Sequence, residues 1–247
     1  MTVSAAPSAA ELLDVWEVGQ TLPPVQRALA LLAAGRPHAT PRDLAAMPIG
    51  RRDGELLALR EGLFGSVIVA LAQCPGCDDR FELSFTVGSI RVAPPDDGTV
   101  LVESGEYAVR ARPASSADLM EVQALSDMVA RERALIARCT VEARRGSRRV
   151  EADELPAVVA EAVADAMNAA DPQAEVQMAM VCPVCGQAWR AMFDVGEFLW
   201  REIDAWARRV LEEVHTLASA YGWAQSAILS MSATRRRRYV SMVVEAG

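Results

Sequence analysis

The chain has 247 residues, 51% of them hydrophobic, and is long enough to bury a sizeable core without disulfide bonds. Its 33 acidic and 25 basic residues give a net charge of −8, which argues against nucleic-acid binding through bulk positive charge. All 25 basic residues are arginines, and the absence of lysine excludes Walker-type phosphate loops, Schiff-base lysines and protein kinases. With His38 and His215 as the only histidines, histidine-rich metal centres are excluded as well.

The N-terminal third is predicted to be helical. Proline and capping signals give helices over residues 9–18, 24–34 and 49–64, with a short turn after Thr40-Pro41. Gly65 is expected to end the last of these helices and to lead into a strand.

An internal repeat follows, and it is the strongest pattern in the sequence. Sliding the chain by 108 residues places the segment from Cys74 to Cys77 on the segment from Cys182 to Cys185 without a gap, and both read CPxC. Apolar residues alternate before and after both segments, which is typical of two strands joined by a tight turn. Each copy is therefore predicted to be a β-hairpin with two thiols at its tip.

The two hairpins together predict a metal site. A tetrahedral zinc ion takes four ligands, whereas one hairpin supplies only two and is marginally stable alone. We expect Cys74, Cys77, Cys182 and Cys185 to bind one structural Zn²⁺ as a split zinc ribbon, with 104 residues inserted between its halves. Four thiolates leave no open position for water or substrate, so we expect no catalysis at this site.

Two other interpretations of the cysteines remain open at this point. A CxxC pair can be a thioredoxin-like redox centre, but that motif opens a helix after a strand, and both copies here lie between strand patterns. The thiols can also pack together without a metal. Cys139, in a predicted helical stretch, is expected to be an ordinary buried thiol.

Between the two CPxC hairpins the sequence predicts a further hairpin and then helices. Alternation over residues 100–112 around Ser104-Gly105 gives the small hairpin. A helix capped by Ser115 or Ser116 should run to residue 139, and a second helix should cover residues 152–169. The arginine-rich segment 144–149 between them is expected to be a solvated loop.

The C-terminal region is predicted to be a long helix followed by two short ones. Over residues 196–221 apolar residues recur every three or four positions, and we expect this stripe to pack inside the chain rather than on a partner helix. Shorter helices should cover residues 223–230 and 233–245.

The same region is a candidate protein-docking surface. Interfaces concentrate their binding energy in aromatic and arginine side chains, and apolar anchors here lie next to four consecutive arginines. The alternative is an ordinary solvated surface. The predicted docking residues are Tyr221, Trp223, Ile228, Leu229, Arg235, Arg236, Arg237, Arg238 and Tyr239.

These elements predict an α+β fold that is mostly helical, with a split, duplicated zinc ribbon and a helical insertion. Five regions are expected along the chain. They are an N-terminal helical region (1–65), the first zinc hairpin with the small hairpin (66–112), the helical insertion (113–174), the second zinc hairpin (175–196) and a C-terminal helical region (197–247).

No segment predicts export or a membrane anchor. Residues 1–10 lack the basic stretch and sustained apolar core of a signal peptide, and the longest apolar run, residues 67–72, is far too short to span a bilayer. We therefore expect a cytoplasmic protein with neither a membrane nor a nucleic acid as its partner.

Several segments, taken in order, resemble a known family. They are residues 47–65, the two CPxC hairpins, residues 198–206, residues 213–215, the Tyr-Gly-Trp at 221–223, Ile228-Leu229 and the segment from Arg235 to Tyr239. Together they resemble the baseplate hub assembly chaperones of T-even-like contractile-tailed phages and of extracellular contractile injection systems. The resemblance covers about residues 25–245.

The resemblance implies a non-enzymatic protein of a phage-like tail locus, acting in the bacterial cytoplasm. Its partners would be the hub or spike proteins of a contractile tail, and it could act as an oligomer. It would either assist assembly or remain in the baseplate as a structural component. A cytosolic zinc-ribbon protein with redox or hydrolytic activity is the third hypothesis, and it would need a thiolate exposed beside a cation or a base beside a nucleophile.

Overall fold

In the computed structural model, which describes residues 6–93 and 98–246, helices precede the first hairpin as predicted. They are α1 (Ala9–Gly19), α2 (Pro24–Gly35), α3 (Pro41–Ala46) and α4 (Ile49–Phe64). The side chains of Ser8 and Thr40 cap α1 and α3, because each accepts a hydrogen bond from a backbone N–H in the first helical turn. Gly65 ends α4 at φ 89°, in the left-handed region that glycine adopts without strain.

The first CPxC hairpin follows α4 directly. Its strands β1 (Val67–Gln73) and β2 (Arg80–Thr86) pair antiparallel in a two-stranded sheet, with Val67 opposite Thr86 and Gln73 opposite Arg80. One turn of helix, α5 (Val87–Ile90), closes the unit.

The region between the two CPxC hairpins contains a four-stranded antiparallel sheet as well as helices. Its elements are β3 (Val100–Ser104), β4 (Tyr107–Ala111), α6 (Ser116–Val122), α7 (Met128–Cys139), β5 (Thr140–Arg145), β6 (Arg148–Arg149) and α8 (Ala157–Ala170). The strands lie in the order β3-β4-β5-β6. The sheet therefore joins the small predicted hairpin to a segment for which the sequence predicts helices and a loop but no strand.

Three predictions for this region are wrong in detail. Residues 144–149 are not a loop, because they complete β5 and form β6 around a turn at Gly146. The predicted helix to residue 139 is two helices, since Asp127 caps a new one at Met128. The helix predicted from residue 152 begins at Ala157, because a short 3₁₀ turn comes before it and Pro156 stands at its N-cap.

The second CPxC hairpin and three helices complete the chain. The hairpin consists of β7 (Gln177–Val181) and β8 (Ala188–Met192), again an antiparallel pair in a sheet of its own. The helices are α9 (Val195–Tyr221), α10 (Gln225–Leu229) and α11 (Ala233–Ala246). Gly222 ends α9 in the left-handed conformation at φ 67°.

Apolar side chains form three clusters among the described residues. The first joins the N-terminal helices, the bases of both CPxC hairpins and the first half of α9, around Leu56 and Leu199. The second lies between the four-stranded sheet and helices α7 and α8, around Val109 and Val163. The third joins the second half of α9 to α1, α10 and α11, around Leu217. The apolar stripe of α9 thus packs inside the chain, as predicted.

Buried polar contacts fasten the inserted region to the start of α4. The backbone N–H of Gly50 donates to the carboxylate of Asp171 at 2.9 Å. Arg52 is buried and donates to Asp53 at 2.7 Å and to the hydroxyl of Ser116 at 3.0 Å. Burial raises the pKa of Asp53, although the Arg52 guanidinium acts in the opposite direction. Because Asp171 follows α8, these bonds hold the end of the inserted region beside α4, close to where β7 begins.

Candidate metal centre

Both CPxC turns have the same backbone conformation. The N–H groups of Cys74 and Cys182 each donate to the carbonyl oxygen five residues further on, at 2.9 Å in both copies. The residue after the second cysteine is left-handed in both, with φ 58° at Asp78 and 74° at Gly186. Glycine and aspartate tolerate this region better than most residues, so the local sequence favours the turn. The repeat found in the sequence is therefore also a repeat of conformation.

The tips of the hairpins bring the four predicted thiols together. The Sγ atoms of Cys74 and Cys185 are 3.6 Å apart, and those of Cys77 and Cys182 are also 3.6 Å apart. All four sulfurs lie within 4.8 Å of one another, and within the described residues this is the one group of Cys, His, Asp and Glu side chains so placed.

The spacing of the sulfurs fits a tetrahedral metal ion. Zinc–sulfur bonds of about 2.3 Å put the sulfurs of a tetrahedron about 3.8 Å apart, close to both cross-hairpin distances. Cys74 and Cys182 are buried, whereas Cys77 and Cys185 are exposed. The site therefore lies at the surface with one thiol of each hairpin facing inward.

Backbone N–H groups are directed at the sulfurs. Gly76 donates to the sulfur of Cys74 at 3.4 Å, and Cys185 donates to the sulfur of Cys182 at 3.5 Å. The bond from Cys185, together with one from Val184, lowers the pKa of the Cys182 thiol to about 7. Such bonds favour the thiolate, which is the form that binds a metal.

Two other thiols of the cluster, Cys77 and Cys185, have raised pKa values. A backbone hydrogen bond at Asp79 acts to lower the pKa of Cys77, but desolvation and the neighbouring cysteines raise it to about 12. A backbone hydrogen bond at Gln187 acts to lower the pKa of Cys185, but desolvation and the neighbouring thiols of Cys182 and Cys74 raise it. Four thiolates in this space would repel one another, and a bound dication would relieve that repulsion.

The inner faces of the two hairpins pack against each other through equivalent residues. Phe81 meets Trp189 edge to face at 6.1 Å, and Phe85 meets Phe193 edge to face at 5.5 Å. Each pair consists of positions 108 residues apart, so the repeat generates a nearly two-fold arrangement. At the base, Phe193 is buried in the first apolar cluster. The sulfurs are thus fixed by packing at the base and along the faces of the hairpins.

Sequence reasoning missed Arg60, which anchors the first hairpin to the helices. Arg60 is buried, and it donates to the carbonyl oxygens of Gly65 at 2.6 Å and Val67 at 2.8 Å. Its other nitrogens bond both carboxylate oxygens of Glu202 in α9, at 2.8 and 2.7 Å. Arg60 therefore holds the start of β1 against α9. The residues next to Arg60 in the sequence do not indicate that its side chain is buried.

The four clustered thiols do not lie at the start of a helix, which is where a thioredoxin-like CxxC pair lies. Both CPxC segments lie in turns between antiparallel strands, and the short distances join thiols of different hairpins. Cys139 lies apart from them and is fully buried, as predicted. Burial raises the pKa of Cys139 to about 11, which keeps that thiol protonated and unreactive at neutral pH.

Comparison with known proteins gives the chain a family. A model of the family described as T4 bacteriophage base plate protein matches residues 38–200, which is well over half of the chain and includes all four clustered cysteines. The chain belongs to this family. Searches of curated proteins and of solved structures give no significant match. The predicted resemblance to a phage baseplate family is therefore confirmed.

The residues predicted to dock a partner, between Tyr221 and Tyr239, lie outside the range 38–200 that the family model matches. Tyr221 and Trp223 stack at 4.5 Å, and Tyr239 packs edge-on against Trp223 at 5.0 Å. Tyr221 is 41% exposed, and Trp223 and Tyr239 are partly exposed. Three more predicted docking residues are exposed on the first turns of α11: Arg235, Arg237 and Arg238. We call these six residues the aromatic–arginine surface.

The other three predicted docking residues are buried inside the chain. Ile228 and Leu229 belong to the third apolar cluster beside α9. Arg236 is 3% exposed and donates to the carboxylate of Glu213 at 2.5 Å. Successive residues of a helix point in different directions, so one arginine of the four faces inward and pairs with a carboxylate of α9. These three residues pack inside the chain, which does not fit the docking role predicted for them.

Among the described residues, no helix combines the length and the apolar character that crossing a membrane requires.

Proposed function

We propose that the four clustered cysteines bind one structural zinc ion that joins the two hairpins. The sulfur spacing, the thiolate-directed N–H groups and the all-sulfur ligand set support zinc, and four protein ligands leave no position for a substrate. Cys74, Cys77, Cys182 and Cys185 would be the ligands.

Protein purified under reducing conditions without chelator should contain one zinc ion per chain. Elemental analysis measures the metal, and thiol titration before and after chelation counts the cysteines that it protects. Four thiols should become reactive on chelation, while buried Cys139 should react only after unfolding. Metal-free protein in which all four tip thiols titrate freely would contradict the assignment.

We further propose that the protein is a non-enzymatic assembly factor for the baseplate hub of a phage-like contractile tail or injection system. The observation that carries this proposal is the family match over residues 38–200. The aromatic–arginine surface adds support, because exposed aromatic and arginine side chains are the residues in which interfaces concentrate binding energy. The partners would be hub or spike proteins, met in the bacterial cytoplasm.

The composition of purified particles separates this role from that of a retained baseplate component. An assembly factor should be required for tail formation and absent from the finished particle. A structural component should be present at a fixed number of copies in every particle. Quantitative mass spectrometry of sheathed tails, compared with lysates of the same cells, decides between the two.

The aromatic–arginine surface should be needed for tail assembly. Replacing Arg235, Arg237 and Arg238 with serine should lower the yield of intact tails at least tenfold, since an interfacial arginine can contribute about 2 kcal/mol. A matched control replaces three exposed arginines of strands β5 and β6 with serine: Arg144, Arg148 and Arg149. Electron microscopy counts the tails. Equal yields from the two triple variants, both folded and both zinc-loaded, would remove this surface from the proposal.

A further inference from the structure

The clustered sulfurs include two close pairs, and each pair joins one hairpin to the other. The Sγ atom of Cys74 is 3.6 Å from that of Cys185, and the Sγ atom of Cys77 is 3.6 Å from that of Cys182. The members of these pairs are 111 and 105 residues apart in the sequence. A disulfide bond is about 2.05 Å long, so each pair would have to approach by about 1.5 Å to form one. Both pairs are therefore placed for a bond between the hairpins.

Each close pair combines one exposed thiol with one buried thiol. Cys185 and Cys77 are exposed, whereas their neighbours across the cluster, Cys74 and Cys182, are buried. A thiol pair that responds to oxidants needs this arrangement. The oxidant has to reach one sulfur from solvent, and the second sulfur has to lie close enough to react with the oxidised one before oxidation goes further. The cluster meets both requirements twice.

We propose that hydrogen peroxide replaces the zinc ion with two disulfide bonds between the hairpins, Cys74–Cys185 and Cys77–Cys182. The inference rests on the zinc site proposed above and adds the response of that site to an oxidant. In a reducing compartment the metal would join the hairpins, and after exposure to peroxide two covalent bonds would join them instead. The four thiols would then be a redox-sensitive switch between two kinds of cross-link.

Hydrogen peroxide accepts the electrons in two steps. The exposed thiolate of a pair attacks one peroxide oxygen, which breaks the O–O bond, gives a sulfenic acid and releases hydroxide. The buried thiolate then attacks the sulfenic sulfur, forms the S–S bond and releases a second hydroxide. Each pair thus loses two electrons to one peroxide molecule, and two protons convert the hydroxides to water. Two peroxide molecules oxidise all four thiolates, after which none remains to hold Zn²⁺.

The packing of the hairpins determines which thiols pair. In an unfolded chain, the two cysteines of one CPxC segment meet far more often than cysteines more than 100 residues apart, so bonds would form within each segment. In the folded chain, the edge-to-face contacts of Phe81 with Trp189 and of Phe85 with Phe193 hold the two hairpins against each other. These contacts keep the tips adjacent while the metal leaves. Bonds between the hairpins therefore require the native packing.

Peptide mapping measures the pairing directly. Trypsin cleaves after arginine, so both thiols of the first hairpin fall in fragment 61–80, both thiols of the second in fragment 150–190, and Cys139 in fragment 139–144. Zinc-loaded protein treated with a small excess of hydrogen peroxide should release its zinc to a zinc-binding dye. After alkylation and digestion without reductant, fragments 61–80 and 150–190 should be joined. Tandem mass spectrometry should assign each exposed thiol to the close, buried thiol of the opposite hairpin, and buried Cys139 should stay reduced as an internal control.

The same protein oxidised in denaturant is the matched control, and its two fragments should separate because each CPxC segment then closes on itself. The oxidised, folded protein should also melt at a higher temperature than the reduced, chelated protein, since bonds that close such long loops restrict the unfolded chain.

Three results would overturn the proposal. They are disulfides within each hairpin of the folded protein, sulfinic or sulfonic acids in place of disulfides, and zinc that stays bound at a peroxide concentration that already oxidises exposed Met128. Zinc content measured before peroxide is added tests the metal site separately. Protein without zinc would contradict that site, and its joined or separate fragments would still decide how the thiols pair.

Discussion

Cys74→Ser and Cys182→Ser should each abolish metal binding and lower the melting temperature to the same extent. The two residues lie on different hairpins, 108 positions apart, but their sulfurs belong to one cluster. A structural zinc site contributes on the order of 10 kcal/mol to folding, and an isolated two-stranded hairpin is marginally stable. The bases of both hairpins supply Ile68 and Phe193 to the first apolar cluster, so the loss should extend into that cluster.

Cys139→Ala is the matched control for the cysteine variants. It removes a buried thiol that lies in the second apolar cluster, outside the metal site. Its zinc content should equal that of the wild type, and its melting temperature should fall far less. Calorimetry and elemental analysis on the same samples provide both readouts. If one serine variant kept its zinc and its stability while the other lost both, the four thiols would not form a shared site.

Arg236→Ala should destabilise the fold by about 3–5 kcal/mol and lower the melting temperature by about 10 °C, because it leaves the Glu213 carboxylate buried without its partner. The Arg236 side chain is 3% exposed, its Nε is 2.5 Å from Glu213, and the pair joins α11 to α9. Removing one member of a buried ion pair leaves an uncompensated charge in a region of low dielectric constant. Thermal denaturation measures the effect.

Arg237→Ala is the control, since it changes the neighbouring but exposed arginine and should alter stability by less than about 0.5 kcal/mol. A double variant, Arg236→Met with Glu213→Leu, removes both charges and should recover much of the lost stability. If Arg236→Ala and Arg237→Ala had the same melting temperature, the buried pair would not be important for the fold.

The repeat made the cluster of four cysteines predictable from the sequence. Two gapless CPxC copies with alternating flanks specify two hairpins with the same face inward, and packing of like faces then brings the tips together. Helices α1 to α4 were predictable for a similar reason, because caps and prolines act locally. These predictions depend on contacts within a few residues or on exact repetition.

The predictions that failed depend on tertiary contacts. Strand β5 buries only Ala143 fully, so its arginines on both faces hide the alternation that would identify a strand. Arg236 has the same local surroundings as Arg235 and Arg237, and only the position of Glu213 in α9 determines which of them is buried. The same applies to Arg60, whose partner Glu202 is distant in sequence.

The separation of the two hairpins has a consequence for synthesis of the chain. Cys74 and Cys77 leave the ribosome before the inserted region, and Cys182 and Cys185 leave it only afterwards. At about 5–20 residues per second, the first pair waits roughly 5–20 s with half of its ligand set missing. In that interval the inserted region can bury its own apolar cluster. Its two ends can also meet, since the backbone N–H of Val92 donates to the side-chain oxygen of Gln173 at 2.6 Å. A copy that terminates early never completes the thiol set, so metal capture would mark only those chains whose translation has passed the second hairpin.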